Sequence, residues 1–133
     1  KFFKYLEGGM VEITASYPAG VIGKTIDNLM AAANGEREEW SKDYPHFADI
    51  AEQEGFPKIA ETFRKIATVE QMHEERYKNF IKNIQENKVF EKDEEVIWQC
   101  RNCGYLHKGK KAPELCPACE HPQAYFEIKK ENY

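Results

Sequence analysis

One stretch, Pro57 to Ile84, limits what this chain can become. Ile59, Phe63, Ile66, Tyr77, Phe80 or Ile81, and Ile84 recur by threes and fours, which gathers them on one face of a helix. Two steps of the series are taken by Glu70 and His73 instead of apolar residues. Buried without partners, a carboxylate and an imidazole would each cost several kcal/mol. Their i, i+3 spacing aims both side chains the same way, as a helix does when it offers two ligands to one metal.

A second stretch has the same interruption. From Ile26 to Glu54 the apolar series runs Ile26, Leu29, Ala33, Trp40, Tyr44, Phe47, Ile50 or Ala51; its missing step is Glu36, and Glu39 lies one turn further on. Taken singly, each acid reads as a solvated helix residue and His73 as a satisfied core histidine. Four together, in register with two apolar stripes, describe half of a carboxylate-bridged two-metal site inside a four-helix bundle. Gly55 and Pro57 mark a short helix-to-helix turn, so the two helices are expected to be antiparallel neighbours. Glu39 stands about 16 residues before that turn and Glu70 about 14 after it, a mismatch of about 3 Å at 1.5 Å per residue.

The first helix should open with Thr25 as N-cap and Asp27 in its first turn. It should not run smoothly to Glu54. Asn34-Gly35 weakens it, and Pro45 removes an interior hydrogen bond at a cost of about 3 kcal/mol, so a kink or bulge is expected around Ser41 to Tyr44. Upstream, Lys1 to Leu6 reads as the tail of a helix that begins before this stretch of chain, stopped by Gly8-Gly9, and Met10 to Gly23 as a long crossover. Residues 83–95 are polar and charged and read as a connection.

Beyond it the pattern changes. Val96-Ile97-Trp98 and Tyr125-Phe126-Glu127-Ile128 are short β-prone runs flanking all four cysteines. Cys100-x-x-Cys103-Gly-Tyr and Cys116-Pro-Ala-Cys119, twelve residues apart, make two knuckles that complete one tetrahedral four-sulfur site. So small a lobe needs the metal for its stability. Tetrahedral thiolate suits zinc and iron equally. His46 and His121 read as surface residues, and His107 is not needed as a ligand.

The net charge of −4, with both signs interspersed, implies neither a nucleic-acid nor an anionic-membrane partner. No apolar run is long enough to span a bilayer. The absence of a charged-then-apolar leader and the metal-type spacing of the cysteines suit a reducing cytoplasm.

In order, a bundle-helix tail, Tyr17-Pro18-Ala19-Gly20, Gly35-Glu36-x-x-Glu39, Tyr44-Pro45, Glu70-x-x-His73-Glu74, Cys100-Arg-Asn-Cys103-Gly-Tyr and Cys116-Pro-x-Cys119 resemble rubrerythrin over essentially the whole chain. The resemblance implies a ferritin-like all-α four-helix-bundle half (residues 1–88), a linker (89–95) and a rubredoxin-like β/loop domain (96–133). It implies Glu36, Glu39, Glu70 and His73 as di-iron ligands, Tyr44 beside that site, and Cys100, Cys103, Cys116 and Cys119 around a single redox iron. The implied activity is a peroxidase that reduces hydrogen peroxide to water and protects against oxidative stress. Rubrerythrins also draw ligands from two earlier helices that this chain lacks. The expected partner is therefore an N-terminal helical half, as a separate chain or in a second subunit of a homo-oligomer, with a reductase or rubredoxin as electron donor; activity is expected only when that half is supplied. Two other readings stay open: a non-catalytic dimerisation module carrying a structural zinc ribbon, and ferroxidase or iron storage.

Overall fold

A computed structural model describes residues 1–132. The chain opens with a 3-10 turn, Phe2–Leu6, closed by left-handed Glu7, rather than with an α-helical tail. Phe2 stacks on Phe63 with ring centroids 4.4 Å apart, and the Tyr5 hydroxyl meets Thr62 Oγ1 at 2.9 Å, so this turn is pinned to the long helix. Residues 10–24 follow without regular structure.

Helix α1 spans Thr25–Glu38. Its N-cap is Lys24, one residue earlier than the hydroxyl of Thr25 suggests, because the Asp27 carboxylate reaches back to the Lys24 N–H at 3.3 Å. α1 does not stop at Glu38. It widens into a π-helical segment, Glu39–Asp43, and continues as α2, Tyr44–Gln53. Pro45 lies in the first turn of α2, where its missing N–H costs least, and the wide turn before it absorbs the misfit. Gly55, at φ +86°, then reverses the chain, and Pro57 starts α3, Pro57–Gln85.

α3 packs antiparallel against α1 and α2 in turn. Where α2 meets α3 beside the Gly55 turn, Ala48, Ala51 and Ala60 are buried and let the backbones approach, with Ile59 and Phe63 packed over them. Several large residues of the two stripes, among them Phe47, Ile50 and Phe80, stay exposed. Two rods share one plane of contact, so small side chains inside it are covered while large ones overhang its edges.

The lobe is a three-stranded antiparallel sheet of order β2-β1-β3, with β1 Glu91–Cys100, β2 Leu106–Lys111 and β3 Phe126–Ile128. Strand β1 begins inside the stretch read as a linker. Its first part is loosely held: Glu91 pairs with Lys111, the register slips, and regular pairing starts at Val96 opposite Gly109. Trp98, Cys100, Ala112, Cys116 and Phe126 form the buried core, and the Trp98 indole N–H donates to the Gly109 carbonyl at 3.0 Å. Among the described residues, no helix is long and apolar enough to cross a membrane.

Candidate metal centres

The two cysteine knuckles are built alike. In the first, the Gly104 N–H donates to the Cys100 carbonyl and the Cys100 N–H to the Tyr105 carbonyl; in the second, Glu120 N–H donates to Cys116 and Cys116 N–H to His121. The residue after each second cysteine is left-handed, Gly104 at φ +81° and Glu120 at φ +57°. All four sulfurs lie within 4.8 Å of one another. Cys100 and Cys119 are 3.8 Å apart and Cys103 and Cys116 3.6 Å apart. A tetrahedron with metal–sulfur bonds of about 2.3 Å has edges of about 3.8 Å, so the donor set fits one tetrahedral ion and none of these pairs is a disulfide.

Backbone N–H groups tune the sulfurs. The His121 N–H lowers the Cys119 thiol to about 6. Tyr105 acts the same way on Cys103, but the neighbouring sulfurs and desolvation outweigh it and push that thiol up to about 12. One thiolate forms readily, and further negative charge in the cage needs a cation. His121 is half-buried rather than a free surface residue; its ring packs edge-on against Tyr125, and its Nδ1 lies 3.0 Å from the Cys119 carbonyl. His46 is exposed, as the sequence implies.

In the helical pair, Glu36 on α1 meets Glu70 and His73 on α3, with one donor atom from each within 4.8 Å of the others. His73 Nδ1 is 2.7 Å from Glu70 Oε2 and 3.6 Å from Glu36 Oε1. The side chains of Glu36 and Glu70 keep 18% and 13% of their surface, and that of His73 41%, so the group lies on a half-open face rather than in a closed seam. The Glu36 carboxyl is held above the ordinary carboxylate range, first because it is withdrawn from water and next because Glu70 lies beside it; Glu39 adds to the rise and His73 opposes it. Two carboxylates that repel and an imidazole that only partly compensates are what a divalent cation would relieve.

Glu39 stands apart from this trio. It sits at the start of the π-helical segment and interacts with Tyr44, which accounts for part of the rise of the Tyr44 phenol to about 12; burial contributes most. The phenol therefore keeps its proton near neutrality and can donate it in a hydrogen bond to Glu39.

Sequence periodicity missed the neighbouring carboxylate, Glu74. It is only 4% exposed. Its Oε2 accepts from Trp40 Nε1 at 2.7 Å, and its Oε1 faces Arg37 Nε at 3.0 Å and Lys78 Nζ at 2.5 Å. The Lys78 contact does most to hold its pKa below the usual range, with Trp40 and Arg37 helping against desolvation. Of these links only the Glu74–Lys78 spacing of i, i+4 is readable in sequence.

Comparison with known proteins agrees with both centres. A family model described as rubrerythrin matches residues 2–81, and a second, the rubrerythrin rubredoxin-like domain, matches residues 98–127. Rubrerythrin of Porphyromonas gingivalis is 61% identical over 133 residues, which are 100% of this chain and 66% of that protein. Rubrerythrin of Nitratidesulfovibrio vulgaris is 52% identical over 128 residues, 96% of this chain and 67% of that protein. The structure of fully reduced, all-ferrous nigerythrin superposes with a TM-score of 0.51 at 31% identity, covering 96% of this chain and 59% of that one. The chain thus spans about two thirds of the length of these curated relatives.

Proposed function

The chain belongs to the rubrerythrin family, and on that footing we propose that it supplies one half of the di-iron site, and the electron-transfer lobe, of a peroxidase that reduces hydrogen peroxide to water. The observation that carries this reading is the convergence of Glu36, Glu70 and His73 from two facing helices. A two-metal bundle site uses a Glu from each of two helices and a Glu-x-x-His from each of two others. One Glu and one Glu-x-x-His are present here, which is half that set. The complementary Glu and Glu-x-x-His come from two further helices that pack against this face. We divide the chain into residues 1–88, which hold the iron pair, a linker at 89–95 that includes the loosely paired start of β1, and the iron-sulfur lobe at 96–133.

When bound, iron supplies the redox chemistry: the four-cysteine ion transfers single electrons, and the two-ion centre provides the pair that hydrogen peroxide needs, with two protons, to become two waters. The residues of this chain set the conditions. Glu36 and Glu70 place negative charge on facing helices and offset the cations; His73 adds a neutral donor. Glu39, outside the trio and beside Tyr44, would be the extra carboxylate available to the metal pair. Tyr44 keeps its proton and orients Glu39. Cys100, Cys103, Cys116 and Cys119 would hold the single iron, and the N–H groups of Tyr105 and His121 beside Cys103 and Cys119 would help set its potential. Electrons reach the lobe from a rubredoxin or reductase in the cytoplasm.

The test is a pair of substitutions in the assembled, iron-loaded protein. Glu70→Ala and His73→Ala each abolish peroxide reduction and lower the iron count from three per complete unit, yet leave the red ferric-thiolate colour. Loss of the colour in either variant, or full peroxide turnover in both, overturns the assignment.

A further inference from the structure

Three of the four proposed ligands, Glu36, Glu39 and His73, have a neighbour, one residue further along, in a second cluster. Arg37 follows Glu36, Trp40 follows Glu39 and Glu74 follows His73, and these three meet: Arg37 and Trp40 both engage the buried Glu74 carboxylate, one through each oxygen. One residue along a helix is about 100° around it, so the cluster forms a second layer beside the first. Trp40 is also the second residue of the π-helical segment, Glu39–Asp43, whose wide turn carries no side-chain cap. Such wide turns recur at functional sites. The bond between the indole N–H and Glu74 is the cross-helix hydrogen bond that ties this segment to α3.

We propose that Glu74 is a positioning residue that fixes the register of α1 and the π-helical segment against α3, through Arg37 and Trp40, and so sets the geometry in which Glu36 faces Glu70 and His73. This rests on the di-iron reading above. Glu74 itself binds no metal: both its oxygens are occupied, and Lys78 completes its charge balance.

The deciding variant is Trp40→Phe, which keeps the aromatic packing and removes only the N–H. In the assembled, iron-loaded protein two quantities are followed: iron loss from the carboxylate site to a chelator, and the near-ultraviolet charge-transfer band of that site, with the thiolate colour as internal reference. Trp40→Phe should release that iron about tenfold faster, as loss of a residue supporting metal ligands typically does, and shift the band while leaving the thiolate colour unchanged. Glu74→Gln, which still offers Trp40 an acceptor but loses the charge facing Arg37 and Lys78, should show a smaller change. The Trp40→Phe/Glu74→Gln double variant should be no worse than the worse of its two single variants, since the two residues act as one unit. Wild-type release and band in Trp40→Phe overturn the positioning role alone. If the unmodified protein carries no iron beyond the thiolate ion, the di-iron reading falls and the positioning role falls with it.

Discussion

The lobe buries an indole, a phenyl ring and two thiols, whereas the helical pair buries four alanines, a threonine and a carboxylate. The lobe is far the smaller, yet it is the half whose interior is filled with large groups. The difference follows from what closes each core. Four sulfurs on two knuckles can be drawn around one ion, so a sheet of three short strands encloses Trp98 and Phe126. Two helical rods have a single plane of contact, and Phe47, Ile50, Val69, Met72 and Phe80 remain on the surface. Apolar exposure on that scale is characteristic of a surface that another segment covers, in keeping with the proposal that this face carries half of a ligand set.

Removing the metal tests this contrast most severely. A structural tetrathiolate ion is worth on the order of 10 kcal/mol to a small domain. Stripping the four-cysteine site under reducing conditions should therefore unfold the lobe and free Trp98, while helical ellipticity persists. Retention of the sheet without metal, read from amide dispersion, would mean that Trp98 and Phe126 suffice and that the contrast is false.

Truncating one aromatic residue in each half sharpens it. Trp98→Ala should cost the lobe about 3–5 kcal/mol, the range for a large buried ring. Phe47→Ala, at a residue 42% exposed in this chain, should cost the helical pair about 1 kcal/mol or less. Denaturant unfolding followed by thiolate absorption for the lobe and ellipticity for the helices separates the two. A Phe47→Ala cost that rises towards the Trp98 value in the assembled protein would show that a partner covers this face.

Gly55 and Gly104 allow the same backbone change to be made in both halves. Both have positive φ, +86° and +81°, and at both positions an added Cβ meets nothing within 4 Å. Alanine there pays for conformation alone, about 1 kcal/mol in each case. Equal losses of stability are expected; a markedly greater loss at Gly104 would show that the knuckle tolerates strain less because a metal depends on it.

The knuckles and the Glu-x-x-His pair were legible in the sequence because their chemistry is local: Cys100 and Cys103, or Glu70 and His73, lie within one turn of each other and declare themselves by spacing. The misfit before Pro45 was legible too, since a missing N–H must be accommodated somewhere in the preceding turn, and the π-helical segment at Glu39–Asp43 is where it is accommodated. Glu74 was not legible. Its partners Trp40 and Arg37 lie more than thirty residues away on another helix, and the indole N–H had been hidden inside an apolar stripe. Nor does periodicity reveal which members of a stripe fill the contact plane: Ala48 and Ala60 do, and Phe47 does not, because backbone separation decides it. The early start of β1 at Glu91 was masked by its run of charged residues, most of which are exposed.

The smallest expected effect is a difference in sign within the helical half itself. The Glu36 carboxyl in the metal-free fold is held above its ordinary range by burial and then by Glu70, with Glu39 adding to the shift and His73 opposing it. The folded state thus binds that proton more tightly than the unfolded chain does. Its contribution to stability is complete below the ordinary carboxylate pKa and disappears as pH rises through the raised value. Metal-free protein should therefore gain a little helical stability as pH falls from 7 to about 5. Iron-loaded protein should lose stability over the same interval, because protons and cations compete for the same oxygens. Glu70, His73 and Glu39 lie nearby, so Glu36→Gln isolates the group: thermal melts of the metal-free variant should lose the part of the pH slope due to Glu36. An unchanged slope would mean that Glu36 senses neither Glu70 nor its own burial, and that the trio is no closer to a metal site than any exposed acidic patch.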